Sequence, residues 1–221
     1  MVRFRIPPVR RVLTFGVTIL LLAGGSGPAS AQDPGPIGPY VVDARGSFVS
    51  VGQVTELATN RGLHPGQLSA WGLGLDVGAH VYVFKWRGIT FGLGASALFA
   101  APSKTLENDE QGSYGPTVKT RFTAVSPQLS FNFGDGDGWS YLSGGLGTSR
   151  MTVYKDQPTL PEQRSAGTLN YGGGARWFVR PGLALSLDIR IFAISPVEAT
   201  DTEPGSPRMT RMAFNIGASF N

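Results

Sequence analysis

Leu183-Ala184-Leu185-Ser186-Leu187-Asp188-Ile189-Arg190-Ile191 places a large aliphatic residue at every odd position and a small or charged one at every even position. Successive side chains on a strand point to opposite faces, so the stretch reads as a strand with one apolar and one polar face. Asp188 and Arg190 share the polar face. Alone, the stretch fits a soluble sheet with its charges outside. It fits equally a barrel with the charges inside and the Leu/Ile row turned to lipid. The rest of the chain separates the two.

Seven further segments alternate in the same way. The eight spans are 40–51, 70–84, 89–99, 121–133, 139–149, 168–179, 183–192 and 209–220. Three connections are tight and rich in turn residues: Lys85-Trp86-Arg87-Gly88, Gly134-Asp135-Gly136-Asp137-Gly138 and Arg180-Pro181-Gly182. The other four, 52–69, 100–120, 150–167 and 193–208, are long and polar. Long and short connections alternate without exception, as in outer-membrane barrels with short periplasmic turns and long outer loops. The expected fold is therefore all-β: an eight-stranded, antiparallel, up-and-down transmembrane β-barrel with both chain ends on the periplasmic side.

The faces agree. Trp71, Leu73, Leu75, Val77, Ala79, Val81 and Val83 oppose Gly72, Gly74, Asp76, Gly78, His80 and Tyr82. In the sixth segment Leu169, Tyr171, Ala175, Trp177 and Val179 oppose Asn170, Gly172, Gly174, Arg176 and Phe178. The fifth segment alternates weakly, and its glycines suit a bulge. The rival is a soluble barrel, apolar inside and polar outside. Two features favour lipid outside. The four lysines, Lys85, Lys104, Lys119 and Lys155, read as turn or loop residues, whereas a soluble exterior carries lysine along its strands. Aromatics also gather at segment ends: Trp86, Trp139 and Trp177 read as an interfacial girdle, with Phe133 and Tyr141 nearby.

The first residues read as a targeting segment. Arg3, Arg5, Arg10 and Arg11 precede an apolar run from Val12 to Ala23, too short to span a bilayer as a helix, and Ala29-Ser30-Ala31 has the form of a cleavage site. The expected organisation is a signal peptide over 1–31, a Pro/Gly-rich leader over 32–39 and the barrel over 40–221. Arg10-Arg11 is followed by Val12-Leu13-Thr14, a poor match to twin-arginine export, so general secretion is expected. Lys and Arg total 19 against 15 Asp and Glu, and the four early arginines account for the whole excess. The remainder is neutral, so the basic precursor is no argument for nucleic-acid binding. With no cysteine, a disulfide framework, a thiolate zinc site and a cysteine-linked lipid anchor are excluded.

The sequence resembles the OmpA-like family of small outer-membrane barrels, of the OmpX type, over residues 40 to 221. The resemblance is sharpest in Gly172-Gly173-Gly174-Ala175-Arg176-Trp177-Phe178, in Leu185 to Arg190 and in the last segment. It implies that the outward row Phe214, Ile216, Ala218, Phe220 is the signal read by the barrel assembly machinery, after escort by periplasmic chaperones. The chain ends in Asn221 rather than in the aromatic, a departure from the commonest pattern. The peptidoglycan-binding domain of larger relatives is not expected. Outer-membrane lipid and lipopolysaccharide are the expected surroundings.

Asp43, Arg45, Asp76, His80, Arg176, Asp188 and Arg190 all fall on polar faces. Enclosed charges need partners, so a salt-bridge network plugging the lumen is expected, with an ion path or proton-sensing site around His80 as the functional alternative. A lipid-modifying enzyme would need a nucleophile, a base and an orienting acid together. Neither His64 nor His80 has a serine two positions on, so no catalytic residue is assigned. Asp135-Gly136-Asp137-Gly138 resembles the start of a calcium loop but lacks the remaining oxygen ligands, so no metal or cofactor is expected. Gly92-Leu93-Gly94 and Gly144-Gly145-Leu146-Gly147 precede no helix and are not phosphate loops. Binding would reside in the long loops, where Glu107, Asp109 and Glu110 cluster and Lys155, Asp156, Glu162 and Arg164 mix signs. A structural or surface-interaction role is expected. A small pore is the alternative, and the extracellular ligand is left unnamed.

Overall fold

Strand periodicity and turn chemistry build a closed ring. A computed structural model describes residues 36–107, 114–155 and 164–221. The elements are β1 (Tyr40–Ser50), α1 (Thr55–Thr59), a 3-10 turn (Pro65–Gln67), β2 (Trp71–Trp86), β3 (Ile89–Ala100), β4 (Ser103–Glu107), β5 (Tyr114–Asp135), β6 (Gly138–Lys155), β7 (Ala166–Arg180), β8 (Leu183–Ile194) and β9 (Met209–Phe220). Each strand pairs antiparallel with the next ring strand, β3 passing directly to β5 from Ile89↔Phe133 to Ala100↔Phe122. The ring closes between β1 and β9, from Val42↔Phe220 to Val49↔Ala213. Eight strands therefore form an up-and-down barrel with no open edge. β4 prolongs β3 after Ala101-Pro102, pairing with the outer end of β5 in the same register, from Ala100↔Phe122 to Ser103↔Lys119.

The short turns all lie at one end, with Tyr40 and Phe220. The turn after β2 is tighter than the four residues expected: β2 runs through Lys85 and Trp86, and the chain reverses at Arg87-Gly88 with φ of 48° and 88°. Two consecutive positive φ values match the twist of the flanking strands. Pairing slips once between Tyr82 and Phe84, so Val83 and Phe84 both face outward.

The largest departure from expectation is at the opposite end. β5 and β6 run well past 121 and 149, so much of the expected loops 100–120 and 150–167 is strand. Lys85, Lys104, Lys119 and Lys155 therefore stand in strands rather than loops. All four sit near strand ends, clear of the mid-strand apolar rows that face lipid. The connection after β1 is likewise not simply polar loop, since α1 buries Leu57 and Ala58. Asp109, Glu110, Asp156, Glu162 and the proposed signal peptide lie outside the described residues.

β6 is unbroken where a bulge was expected. Its register with β5 is the same at Leu129↔Gly144 as at Val125↔Thr148. The strands come unusually close at Pro127, where a Cβ on Gly145 would stand 1.7 Å from the Pro127 carbonyl oxygen. Only glycine fits there, and this explains the weak alternation of the segment.

Candidate functional site

The inward faces of the strands fill the barrel in layers. In the middle lies a network of three carboxylates and three guanidinium groups. Asp43 accepts two parallel hydrogen bonds from Arg176, Nε to Oδ1 at 2.9 Å and Nη2 to Oδ2 at 2.6 Å, and another from Ser219 Oγ. Arg45 lies 3.0 Å from Asp43 and donates to Tyr141 Oη at 2.8 Å. Arg45 Nε also stands 3.0 Å from Asp76 Oδ1, close enough to pair as ions but misaligned for a hydrogen bond. Asp188 accepts from Tyr141, Asn215 and Arg190. Arg190 further donates to Gln128, Asn170 and Ser143 at 2.8 to 3.1 Å. Equal numbers of opposite charges, all but Asp76 held by several partners, are what a low-dielectric interior demands.

Six of the seven expected network residues thus meet. His80 faces the same interior, but neither ring nitrogen has a hydrogen-bond partner among the described residues, so it stands beside the network rather than within it. Its position is set by strand parity alone. Sequence reasoning missed Gln128, Asn170, Tyr141 and Ser143 as partners. Ser126, Gln128, Ser130 and Asn132 are an alternating polar row on β5, and that row was the available signal.

Towards the short turns, the interior is aromatic. Trp139 is 3% exposed and packs edge-on against Tyr82 at 5.8 Å and at a 30° tilt against Phe178 at 5.2 Å, with Arg176 over the Tyr141 ring at 4.1 Å. Ile37 and Val41 complete this layer. Trp139 is therefore not a girdle residue. It shares the inward parity of Tyr141 and Ser143, while Leu142 and Leu146 point outward at 60% and 73% exposure. Trp86 and Trp177 face outward near the short turns. At the opposite rim an unanticipated outward group forms, with Trp71 stacked on Phe48 at 4.8 Å and 6.2 Å from Phe214. Phe214, Ile216 and Phe220 also face outward and exposed.

The end of the barrel bearing the long loops is filled by apolar groups. Phe122 and Phe192 meet edge to face at 5.7 Å, among Val49, Leu98, Val118, Met151, Val153, Ile194 and Met209. Leu57, Ala58, Leu63 and Leu68 from the first loop close over them. The loops brace one another. Asn60 donates to the Gly205 carbonyl at 3.1 Å, Arg61 donates to Ser206 Oγ at 3.1 Å, Lys104 to the Gly66 carbonyl, and Arg164 to the Glu198 carbonyl. Beneath this cap Arg211 is buried against the Met209 and Met151 sulfurs, with no carboxylate partner among the described residues. Its guanidinium occupies the space above Gly52, where a Cβ would lie 2.1 Å from Nη1.

A closed eight-stranded ring, apolar outside and charged within, defines a membrane barrel. The outer membrane protein β-barrel domain family matches residues 17–221, and the chain belongs to that family. It is an outer-membrane β-barrel protein. Neisserial surface protein A is similar in structure, with 13% identity over 83% of this chain and 97% of that one and a TM-score of 0.49. The attachment invasion locus protein Ail of Yersinia pestis, solved with the heparin analogue sucrose octasulfate, has 13% identity over 82% and 95% and a TM-score of 0.46. The Escherichia coli outer membrane protease OmpT has 10% identity over 68% and 64% and a TM-score of 0.38. No curated protein matches the chain in sequence.

Proposed function

We propose that this barrel is sealed, and that it serves as a structural element and a surface for interaction through its braced outer loops rather than as a pore or an enzyme. The observation that carries the reading is the filled interior: an aromatic layer, an ion-pair layer and an apolar layer stacked from end to end. A path for ions would have to break paired, hydrogen-bonded charges and then cross a closely packed, mainly apolar layer. Cross-bracing ties the described parts of the outer loops to one another, and a surface ordered beforehand loses less entropy on binding a partner. Against catalysis, the His64 Nδ1 accepts the Gly66 amide in a local turn, and His80 is enclosed by the barrel.

The reading includes export with removal of residues 1–31, a short leader over 32–39, and recognition of Phe214, Ile216, Ala218 and Phe220 by the assembly machinery. Proteoliposomes containing the full chain test the sealed state. They are expected to swell in an isotonic small sugar no faster than protein-free liposomes. Swelling in proportion to protein content would establish the pore instead.

A further inference from the structure

Along β5 the interior changes character between Ala124 and Ser126. From Ser126 to Asn132 the inward residues are polar, and Val125, Leu129, Phe131 and Phe133 face outward. From Val118 to Ala124 the inward row is Val118, Thr120, Phe122 and Ala124, and Lys119 and Arg121 face outward, exposed. β6 repeats the change: Leu142 and Leu146 face outward below, and Arg150 is outward and exposed above, with Met151 and Val153 inside. The inversion marks the outer limit of the hydrocarbon. Arg121 lies four residues above Val125 and Arg150 four above Leu146. At roughly 3.3 Å per residue and a tilt of roughly 40°, both stand about 10 Å above the last apolar side chains, at head-group height.

The three cations are neighbours. Arg150 is opposite Thr123 across the β5–β6 pair, and Arg121 is opposite Thr152, so the two arginines are diagonal neighbours. Such pairs lie about 7–8 Å apart, and Lys119 is the next outward residue on β5. Arg121 is held over the Tyr154 ring at 5.9 Å, and Arg150 reaches Ser165 Oγ at 3.5 Å. Among the residues whose side chains are described, no carboxylate pairs with any of them. The carboxylates of the lumen, by contrast, are all paired with arginine.

We infer that Lys119, Arg121 and Arg150 form a clasp for the phosphate groups of the outer-leaflet glycolipid. Guanidinium forks match phosphate oxygens, and the height of the cluster selects a phosphate anchored by acyl chains against the Val125–Leu146–Leu169 wall over a soluble one. This rests on the outer-membrane placement of the barrel and not on its being sealed.

The test uses the folded full chain in detergent, with bis-phosphorylated lipid A, dephosphorylated lipid A, inorganic phosphate and a soluble sulfated dextran as probes. The lipid A with phosphates is expected to be retained, and affinity to fall about fivefold for each charge removed and about a hundredfold in Lys119→Gln/Arg121→Gln/Arg150→Gln. Arg121→Lys is expected to restore part of the loss relative to Arg121→Gln. The variants are outward-facing, and an unchanged gel shift on boiling certifies their folding; should the triple variant fail it, the single variants carry the test. Equal binding by wild type and variants, equal binding of dephosphorylated lipid A, displacement by inorganic phosphate, or loss confined to the dextran would each overturn the assignment.

Discussion

The lower and upper parts of β5 solve opposite problems with one backbone. Between Val125 and Phe133 the strand shows lipid an apolar row and keeps Ser126, Gln128, Ser130 and Asn132 inside. Between Val118 and Ala124 it shows water Lys119 and Arg121 and keeps Val118, Phe122 and Ala124 inside. The chain is a membrane barrel below and a soluble-type barrel above, and the β3–β5 ladder runs unbroken through the change while β5 and β6 keep one register on either side of a gap at Ser126 to Gln128. The solvent on each side, rather than the sheet, dictates what is buried. The two parts should therefore fail in different ways. The lower one rests on compensated charge and, apart from Ile37, on strand residues, and the upper one on packing and on a loop that supplies Leu57, Ala58, Leu63 and Leu68.

The largest effect is expected in the lower region. Asp43→Ala leaves Arg176 and Arg45 without a shared carboxylate and should cost about 5 kcal/mol, read as a lower urea midpoint of the folded barrel in micelles. Asp43→Ala/Arg176→Met should recover more than half of that, because the stranded charge is gone. A double variant no better than the single would show that packing, not charge, governs this layer. In the upper region, Phe122→Ala should cost about 3 kcal/mol through the cavity left beside Phe192, with no partner substitution of charge able to repair it. Gly52→Ala should be smaller, about 1–3 kcal/mol, since φ of 64° and the Arg211 guanidinium both oppose a Cβ there. Its first consequence should be faster proteolysis of the first loop while the gel shift of the barrel persists.

Much of this was legible in residues such as Leu183 to Ile191, because period-two alternation survives any tertiary context that leaves a strand two-faced. The lumen charges were legible for the same reason. Their partners were not. Arg176 and Asp43 lie far apart in the chain, and parity assigns a face without assigning a neighbour. Trp139 was misplaced because an aromatic beside a turn suits an interfacial girdle and a plugged mouth equally. Only the register of β6, obscured by Gly144, Gly145 and Gly147, decides between them. α1 has five residues, too few for a helical period to show. The upper ends of β5 and β6 read as loop because their alternation is inverted: charged residues facing out resemble a polar connection. The position of Trp139 can be checked in single-tryptophan variants reconstituted with brominated lipid. Trp86 and Trp177 should be quenched strongly and Trp139 scarcely.

The proposed seal has a layer of charge and a layer of packing in series, so opening either alone should not make a channel. Single-channel recording across a planar bilayer tests this most directly, on the full chain and on a variant lacking residues 53–68. The predicted result is silence from both, because removing the loop thins the apolar layer and leaves the Asp43, Arg45, Asp76, Arg176, Asp188 and Arg190 network in place. A stable, reproducible unit conductance from the intact chain would contradict it.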